Sequence, residues 1–283
     1  MRRQRGAALL IALLAVALAA ALAAGIVERG QYDVARTTAM ADAERGWQYA
    51  AGTEALARAW IRRSRAPGGS ALAAGEWSDP LPVPGGSVQA RVIDLGGRFN
   101  VNALAHPDPA RADAARRALA ALLRSLNQDT DLAGEIAALL RPGPDGVRPR
   151  LAHLSELARL EHFGPGVEAA VAPRLAVFPD PGARINVNRT TPEVLAALVE
   201  GLSRESARAV LARAPFESLD ELLAQPELRV VATEAVRQWF AVDSEWFLAH
   251  TRVLLDGRLR EYFRLVGAAA NRYDSRYVSQ GIF

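Results

Sequence analysis

The chain has no cysteine. It can make no disulfide and no thiolate metal site, so its fold must rest on packing alone. It also has no phosphate-binding Gly-x-x-x-x-Gly-Lys loop and no Gly-x-Ser-x-Gly nucleophile elbow. Its four histidines are His106, His153, His162 and His250. Only His153 and His162 stand close together, beside Glu156 and Glu161, and their spacing matches no zinc helix. They read as surface or capping residues, and an enzyme is not indicated. Strong net charge is missing too: 34 basic residues meet 31 acidic ones, for a formal +3. The sequence pI of about 9.8 reflects arginine in place of lysine, not a basic face, so charge gives no sign of nucleic-acid binding. Half the residues are apolar, and 283 residues leave room for one larger domain or two small ones.

Charge is absent altogether from Ala7 to Val27, directly after Met1-Arg2-Arg3-Gln4-Arg5-Gly6. As a helix this run rises about 32 Å, enough to cross the hydrocarbon core of a bilayer. The arginines before it hold the N-terminus in the cytoplasm and send the rest outward. Two readings are open. One is a secretory signal peptide cleaved among the small residues of Leu18 to Ala24. The other rests on Gly6, which resembles the processing glycine of type IV prepilins and pseudopilins. That resemblance implies cleavage between Gly6 and Ala7 by a prepilin peptidase, methylation of the Ala7 amine, and retention of the apolar helix. Proline is absent until Pro67, and the polar stretch from Glu28 to about Ser64 still reads as helix. A helix from Ala7 to Ser64 is about 87 Å long. Its second half needs an apolar stripe for a globular head, and Tyr49, Leu56 and Trp60 fall on one face.

Past a Gly/Pro/Ser linker (Ala66 to Gly75), Trp77 to Pro84 reads as irregular. Ser87 to Leu95 reads as a strand turned by Gly96-Gly97. Helical periodicity then runs to Phe240. The expected helices are Pro109 to Ser125 behind Asp108, Asp131 to Leu140, Ser155 to Leu160, and Pro192 to Glu200 between Thr191 and Gly201. Those behind Ser203, Ser218 and Thr233 follow. Phe247 to Leu255 and Arg258 to Val266 flank Asp256-Gly257, the strongest short hairpin signal. The tail from Asn271 to Ser275 reads as loosely structured. The fold class is therefore α+β: a long N-terminal helix packed on a small antiparallel sheet, with an all-helical domain inserted between its strands. Trp239, Phe240, Trp246 and Phe247 read as core at the domain junction.

The inserted block echoes itself. Arg98-Phe99-Asn100-Val101-Asn102 recurs as Arg184-Ile185-Asn186-Val187-Asn188, and His153-Leu154-Ser155-Glu156-Leu157 resembles Glu217-Ser218-Leu219-Asp220-Glu221-Leu222. Asn100, Asn102, Asn186 and Asn188 suit tight turns whose side chains bond following backbone N–H groups and start helices. Gly96 to Asn102, Ile185 to Leu195 and Phe216 to Leu222, with the Gly6 leader, resemble the type II secretion system minor pseudopilin K family (general secretion pathway protein K). The resemblance covers nearly the whole chain. It implies a leader at 1–6, a transmembrane helix at 7–27 and a periplasmic continuation at 28–66. A pseudopilin head follows at 76–101 and 243–283, with the helical insertion at 102–242, of a sterile-alpha-motif or helix-hairpin-helix type.

The same resemblance implies a single-pass protein of the inner membrane, its C-terminal domain in the periplasm. It would act at the pseudopilus tip with minor pseudopilins I and J, in fibre initiation and in secretion across the outer membrane. No small-molecule substrate or nucleic acid is implied. The fifth residue of the mature helix is Ile11, where most pseudopilins carry a glutamate that pairs with a neighbour's ammonium. A subunit lacking it cannot offer that pairing to one above, which fits the topmost position. The family also implies a calcium loop near Arg141 to Arg150, but this loop holds one acid and three arginines, so no metal ligand and no cofactor is assigned. An alternative is an exported, competence-type DNA-binding protein, since Ile185 to Leu223 resembles helix-hairpin-helix modules with Glu200-Gly201-Leu202-Ser203 as the hairpin.

Overall fold

The computed structural model describes residues 2–65, 75–229, 233–269 and 272–280, with side chains described at 13–64, 75–229 and 236–268. The linker from Ala66 to Ala74 lies outside the described residues. So do the side chains of Ala7 and Ile11, although the backbone at Gly6, Ala7 and Ile11 is helical. The chain forms two compact units, 1–51 and 52–283.

Helix α1 spans Arg2–Arg65 without a break. In the first unit its apolar run is bare: Leu13, Leu14, Val16, Leu18, Leu22, Ile26 and Val27 are each more than half exposed. A helix apolar on every side and buried against nothing is suited to lipid, and this one is long and apolar enough to cross a membrane. Beyond Val27 the helix turns polar and is laced by local contacts, such as Arg45 to Asp42 at 2.7 Å and Gln48 to Glu44 at 3.2 Å.

In the second unit the end of α1 packs on a five-stranded antiparallel sheet of order β1-β2-β7-β8-β9. The strands are β1 Leu81–Val83, β2 Gly86–Asp94, β7 Trp246–Leu255, β8 Arg258–Ala269 and β9 Arg272–Gln280. Strands β2 and β7 pair from Gly86↔Leu255 to Asp94↔Phe247, so the chain leaves the sheet after Asp94 and rejoins it beside the same strand. One sheet face carries Val92, Phe247, Ala249, Val266 and Ala268 against Ala57 and Ile61 of α1. Thr53 and Thr251 hydroxyls meet across this seam at 2.6 Å, and Glu54 bonds both Arg58 and Arg264. Of the stripe expected from Tyr49, Leu56 and Trp60, Trp60 packs partly buried beside this cluster, but Leu56 is corrected: it is 45% exposed, and the buried positions are Thr53, Ala57 and Ile61. Small residues at spacings of four let the helix lie close to the strands, and a leucine belongs on its outer side.

The other sheet face carries Leu248, Phe263 and Leu265 against Leu95, Ala176, Phe178 and Ala183 of the insertion. Trp246 stacks on Phe178 with ring centroids 5.4 Å apart. Two further expectations change. Part of the Trp77–Pro84 stretch is strand β1, held by backbone pairing to Ser87 and Val88. The tail is strand β9, paired to β8 from Tyr262↔Gln280 to Ala269↔Arg272. Neither shows strong alternation in sequence, because each is an edge strand stabilised by its neighbour's backbone.

The inserted domain has the largest core, from Phe99 to Phe240. It is built as two like units. The first runs from β3 (Phe99–Asn100) through a 3-10 turn (Val101–Ala105), α2 (Pro109–Ser125), α3 (Leu132–Leu139), a 3-10 turn (Leu154–Arg159) and α4 (Pro165–Val171) to β4 (Leu175–Ala176). The second runs from β5 (Ile185–Asn186) through a 3-10 turn (Val187–Arg189), α5 (Pro192–Leu198), α6 (Arg204–Leu211), α7 (Leu219–Leu223) and α8 (Thr233–Trp239) to β6 (Phe240–Ala241). In each unit the first and last strands pair in parallel, Phe99↔Leu175 and Ile185↔Phe240. Helix α4 has Pro165 at its start and Gly164 at the cap, a short start signal that the sequence reading passed over.

Candidate functional site

The four asparagines repeat one device. Asn100 and Asn186 are the N-caps of their 3-10 turns, each accepting from the backbone N–H two residues on, at 3.1 and 2.9 Å. Asn102 accepts from Leu151 N–H at 2.8 Å and donates to Leu151 C=O at 2.9 Å, gripping that residue's backbone at both groups. Asn188 grips Phe216 in the same way, at 2.7 and 2.9 Å. Leu151 and Phe216 stand at the same place in the two units, just before the Leu154 3-10 turn and α7. The second amide hydrogens bond Phe178 and Val242 carbonyls, beyond β4 and β6. Each pair therefore closes its unit, tying the opening strand to the middle loop and to the return.

The second unit joins the sheet through a polar seam that sequence reasoning missed. Asn186 donates to Ser244 Oγ and Ser244 donates to Asp94 Oδ2, both at 2.8 Å. Asp94 also accepts from the Gly96 N–H at 2.8 Å and lies 3.5 Å from Arg189. Thr190 donates to the Gly97 carbonyl at 2.8 Å. Gly97 must be glycine: a Cβ there would stand 2.0 Å from the Arg189 carbonyl oxygen. The one hint in the sequence was Gly96-Gly97, which reads as a turn and serves as a close approach. Beside this seam lies an open groove of about 1030 Å³ lined by Val92, Asp94, Asn188, Thr190 and Ser244.

Three charged clusters complete the description. Glu193 of α5 is buried beside Arg204 and, at 3.6 Å, Arg174. Burial alone would raise its carboxyl, but its own backbone N–H, the Thr191 hydroxyl and the two arginines hold it below the ordinary range. His162, at the surface, meets Glu135, whose hydrogen bond raises the imidazole above 6.5. His153 is a cap: its Nδ1 accepts from Ser155 N–H, and Glu156 reaches back to the His153 N–H.

His250 departs from the surface or capping role expected of it. It is 4% exposed, between Phe263 at 4.1 Å and Trp77 at 4.7 Å. Arg91 and Arg252 both lie over the Trp77 ring, at 4.6 and 4.2 Å, and Arg91 Nε donates to His250 Nδ1. Burial and then Arg91 push the imidazole down to about 4, against the opposing pull of Glu261.

No group of three or more His, Cys, Asp or Glu side chains able to hold a metal occurs among the described residues. The loop at 141–150 contributes a turn in which Asp145 accepts from Val147 N–H, and Arg150 donates to the Pro179 carbonyl. The helix-hairpin-helix element is present as α5 and α6 around Gly201, at φ +83°. Of Arg204, Arg208 and Arg213, the arginines such a module would offer to a phosphate backbone, Arg204 pairs with Glu193 and Arg213 bonds Glu227 bidentately at 2.9 and 3.0 Å.

The family model of type II secretion system protein K matches residues 185–243, from the start of β5 to just past β6. Over longer spans the chain is 28% identical to type II secretion system protein K of Klebsiella pneumoniae, across 98% of both chains. It is 27% identical to that of Pectobacterium carotovorum subsp. carotovorum (89% of this chain, 88% of the relative) and 28% identical to that of Pseudomonas aeruginosa PAO1 (91% and 87%). Among solved structures it matches a chain of the GspK-GspI-GspJ complex from enterotoxigenic Escherichia coli. The TM-score is 0.70 at 21% identity, over 88% of this chain and all of that one. The chain thus resembles type II secretion system protein K over nearly its whole length.

Proposed function

We propose that this chain is the K-type minor pseudopilin at the tip of a type II secretion pseudopilus. There it joins minor pseudopilins of the I and J types and helps to start the fibre that drives secretion across the outer membrane. Before assembly it sits in the inner membrane through the apolar part of α1, with the residues beyond it in the periplasm. A prepilin peptidase cleaves between Gly6 and Ala7, and the Ala7 amine is methylated. The observation that carries this reading is the order of parts: a bare apolar helix, its continuation docked on a sheet, and a duplicated helical domain inserted between β2 and β7. The reading is supported too by the alignment with type II secretion system protein K of Klebsiella pneumoniae over 98% of both chains. Ile11 supports the tip position, because a chain without glutamate there cannot pair with the ammonium of a subunit above it. The function calls for no cofactor.

The test is co-purification of the full chain, in detergent, from membranes that also make the I- and J-type partners and the peptidase. One complex of all three is expected. If the two partners pair with each other and this chain runs alone, the assignment fails.

A further inference from the structure

Residues 77–79, just before β1, are strapped onto the edge of β2. Ser78 N–H donates to the Ala90 carbonyl at 2.8 Å, and Ala90 N–H donates to Ser78 Oγ at 3.0 Å. Gln89 Nε2 adds a bond to the Ser78 carbonyl at 3.1 Å. The Trp77 ring rests on the second sheet face, on a seat of three side chains. His250 meets it edge-on, and the guanidinium groups of Arg91 and Arg252 lie over it.

Two members of that seat are cations, and the third is neutral because of its setting. Arg91 Nε donates to His250 Nδ1 at 3.1 Å, so the ring carries its proton on Nε2. His250 Nε2 lies 3.5 Å from Glu261 Oε1, which already accepts from Arg252 Nε at 2.6 Å. The charged groups around the ring are thus Arg91 from β2, Arg252 from its own strand and Glu261 from β8. Phe263 of β8 stacks on it, and β9 sets Ser279, which is uncharged, opposite Phe263. The strap contributes Glu76 and Asp79, both exposed, on either side of Trp77 in sequence. A proton on Nδ1 is incompatible with this arrangement. It would set one N–H against another and gather three cations around a single carboxylate. Arg91 must then give way, and Trp77 loses part of its seat.

We propose that His250 is an acid-operated latch: with the imidazole neutral the strap of residues 77–79 is seated on the sheet, and protonation at Nδ1 displaces Arg91 and lets the strap lift, baring the β2 edge at Ala90. The latch lies within the sheet and stands apart from the fibre reading. Burial, and then Arg91, hold the seated imidazole at about 4 against 6.5 in the open chain, so the latch is closed at neutral pH. A lifted strap returns the ring to its ordinary value. The ratio of lifted to seated strap therefore rises tenfold per pH unit as pH falls from 6.5 to 4, about 300-fold in all.

Amide hydrogen exchange of the full chain in detergent reads that ratio directly. Across this pH window, corrected for intrinsic exchange rates, protection of the Ser78 and Ala90 amides should fall by that factor while protection of the α2 amides holds. In His250→Gln, which cannot titrate, the Ser78 and Ala90 amides should stay level. Level protection in the wild-type chain overturns the latch. An equal fall in α2 means global unfolding and overturns it as a local device. The same fall in His250→Gln assigns the change to Glu76, Asp79 or Glu261 and overturns it too. Should His250→Gln fail to fold, histidine-selective 15N spectra of the wild-type chain decide. Nδ1 of His250 must stay unprotonated down to about pH 4, and a ring already protonated at pH 6 contradicts the proposal.

Discussion

Asn102 has no exposure, and its amide spends both hydrogens and its oxygen on backbone groups of Leu151 and Phe178. Asn102→Ala leaves three buried backbone groups without that partner, so a loss of about 2–3 kcal/mol is expected by urea unfolding of the full chain. Asn102→Asp should be worse than Ala, because a carboxylate then faces two carbonyls. Equal stability of the Asp variant and wild type would contradict the grip. The histidines give opposite pH signs. His250 is held near 4 in the fold against 6.5 in the open chain, so its contribution is complete above pH 6.5 and is lost as pH falls toward 4. His250→Gln should flatten the stability curve across that window. His162 is raised, so what it adds is present below pH 6.5 and disappears as pH climbs through its folded value. His162→Gln should remove that acid-side gain, and an unchanged profile would show the Glu135 pair to be idle. At this scale the Asn-x-Asn pattern was visible in the sequence, but not what each side chain holds. The burial of His250 depends on Trp77, which comes from far along the chain and leaves no local trace.

At the scale of elements, α1 docks through Thr53, Ala57 and Ile61. Ile61→Ala removes a side chain with no exposure and should cost about 2–4 kcal/mol, whereas Leu56→Ala should stay within about 0.5 kcal/mol. Thermal melting of the two variants decides which face is docked; equal losses would contradict this assignment. Gly97→Ala forces a methyl group into the Arg189 carbonyl, so the seam between sheet and insertion must open. Faster proteolysis between the sheet and α5 is expected, and a wild-type digestion pattern would refute it. The helix signals, the Asp-Gly hairpin and the strand before Gly96 were legible because they are local: caps, prolines and alternation. On α1 the expected stripe fails at Leu56 while Trp60 packs beside the seam, because close packing on a sheet selects alanine and threonine at the contact and leaves large side chains at its edge. Strands β1 and β9 were missed because an edge strand is specified by its neighbour's backbone.

At the scale of the molecule, the sequence echo corresponds to two units closed by the same asparagine device, one of them seated on the sheet through Asp94, Ser244 and Thr190. The fold class was legible because hydrophobic period and turn chemistry agree along most of the chain. The seam was not, since Asp94, Arg189 and Ser244 are brought together only by the insertion. The central claim is that this is a fibre subunit retaining its apolar helix. The most direct test is the N-terminal mass of the mature protein from membranes of a cell with its own processing enzymes. A chain beginning at methylated Ala7 is predicted. A soluble chain beginning near Ala24 or later would mean cleavage by signal peptidase and would contradict the account.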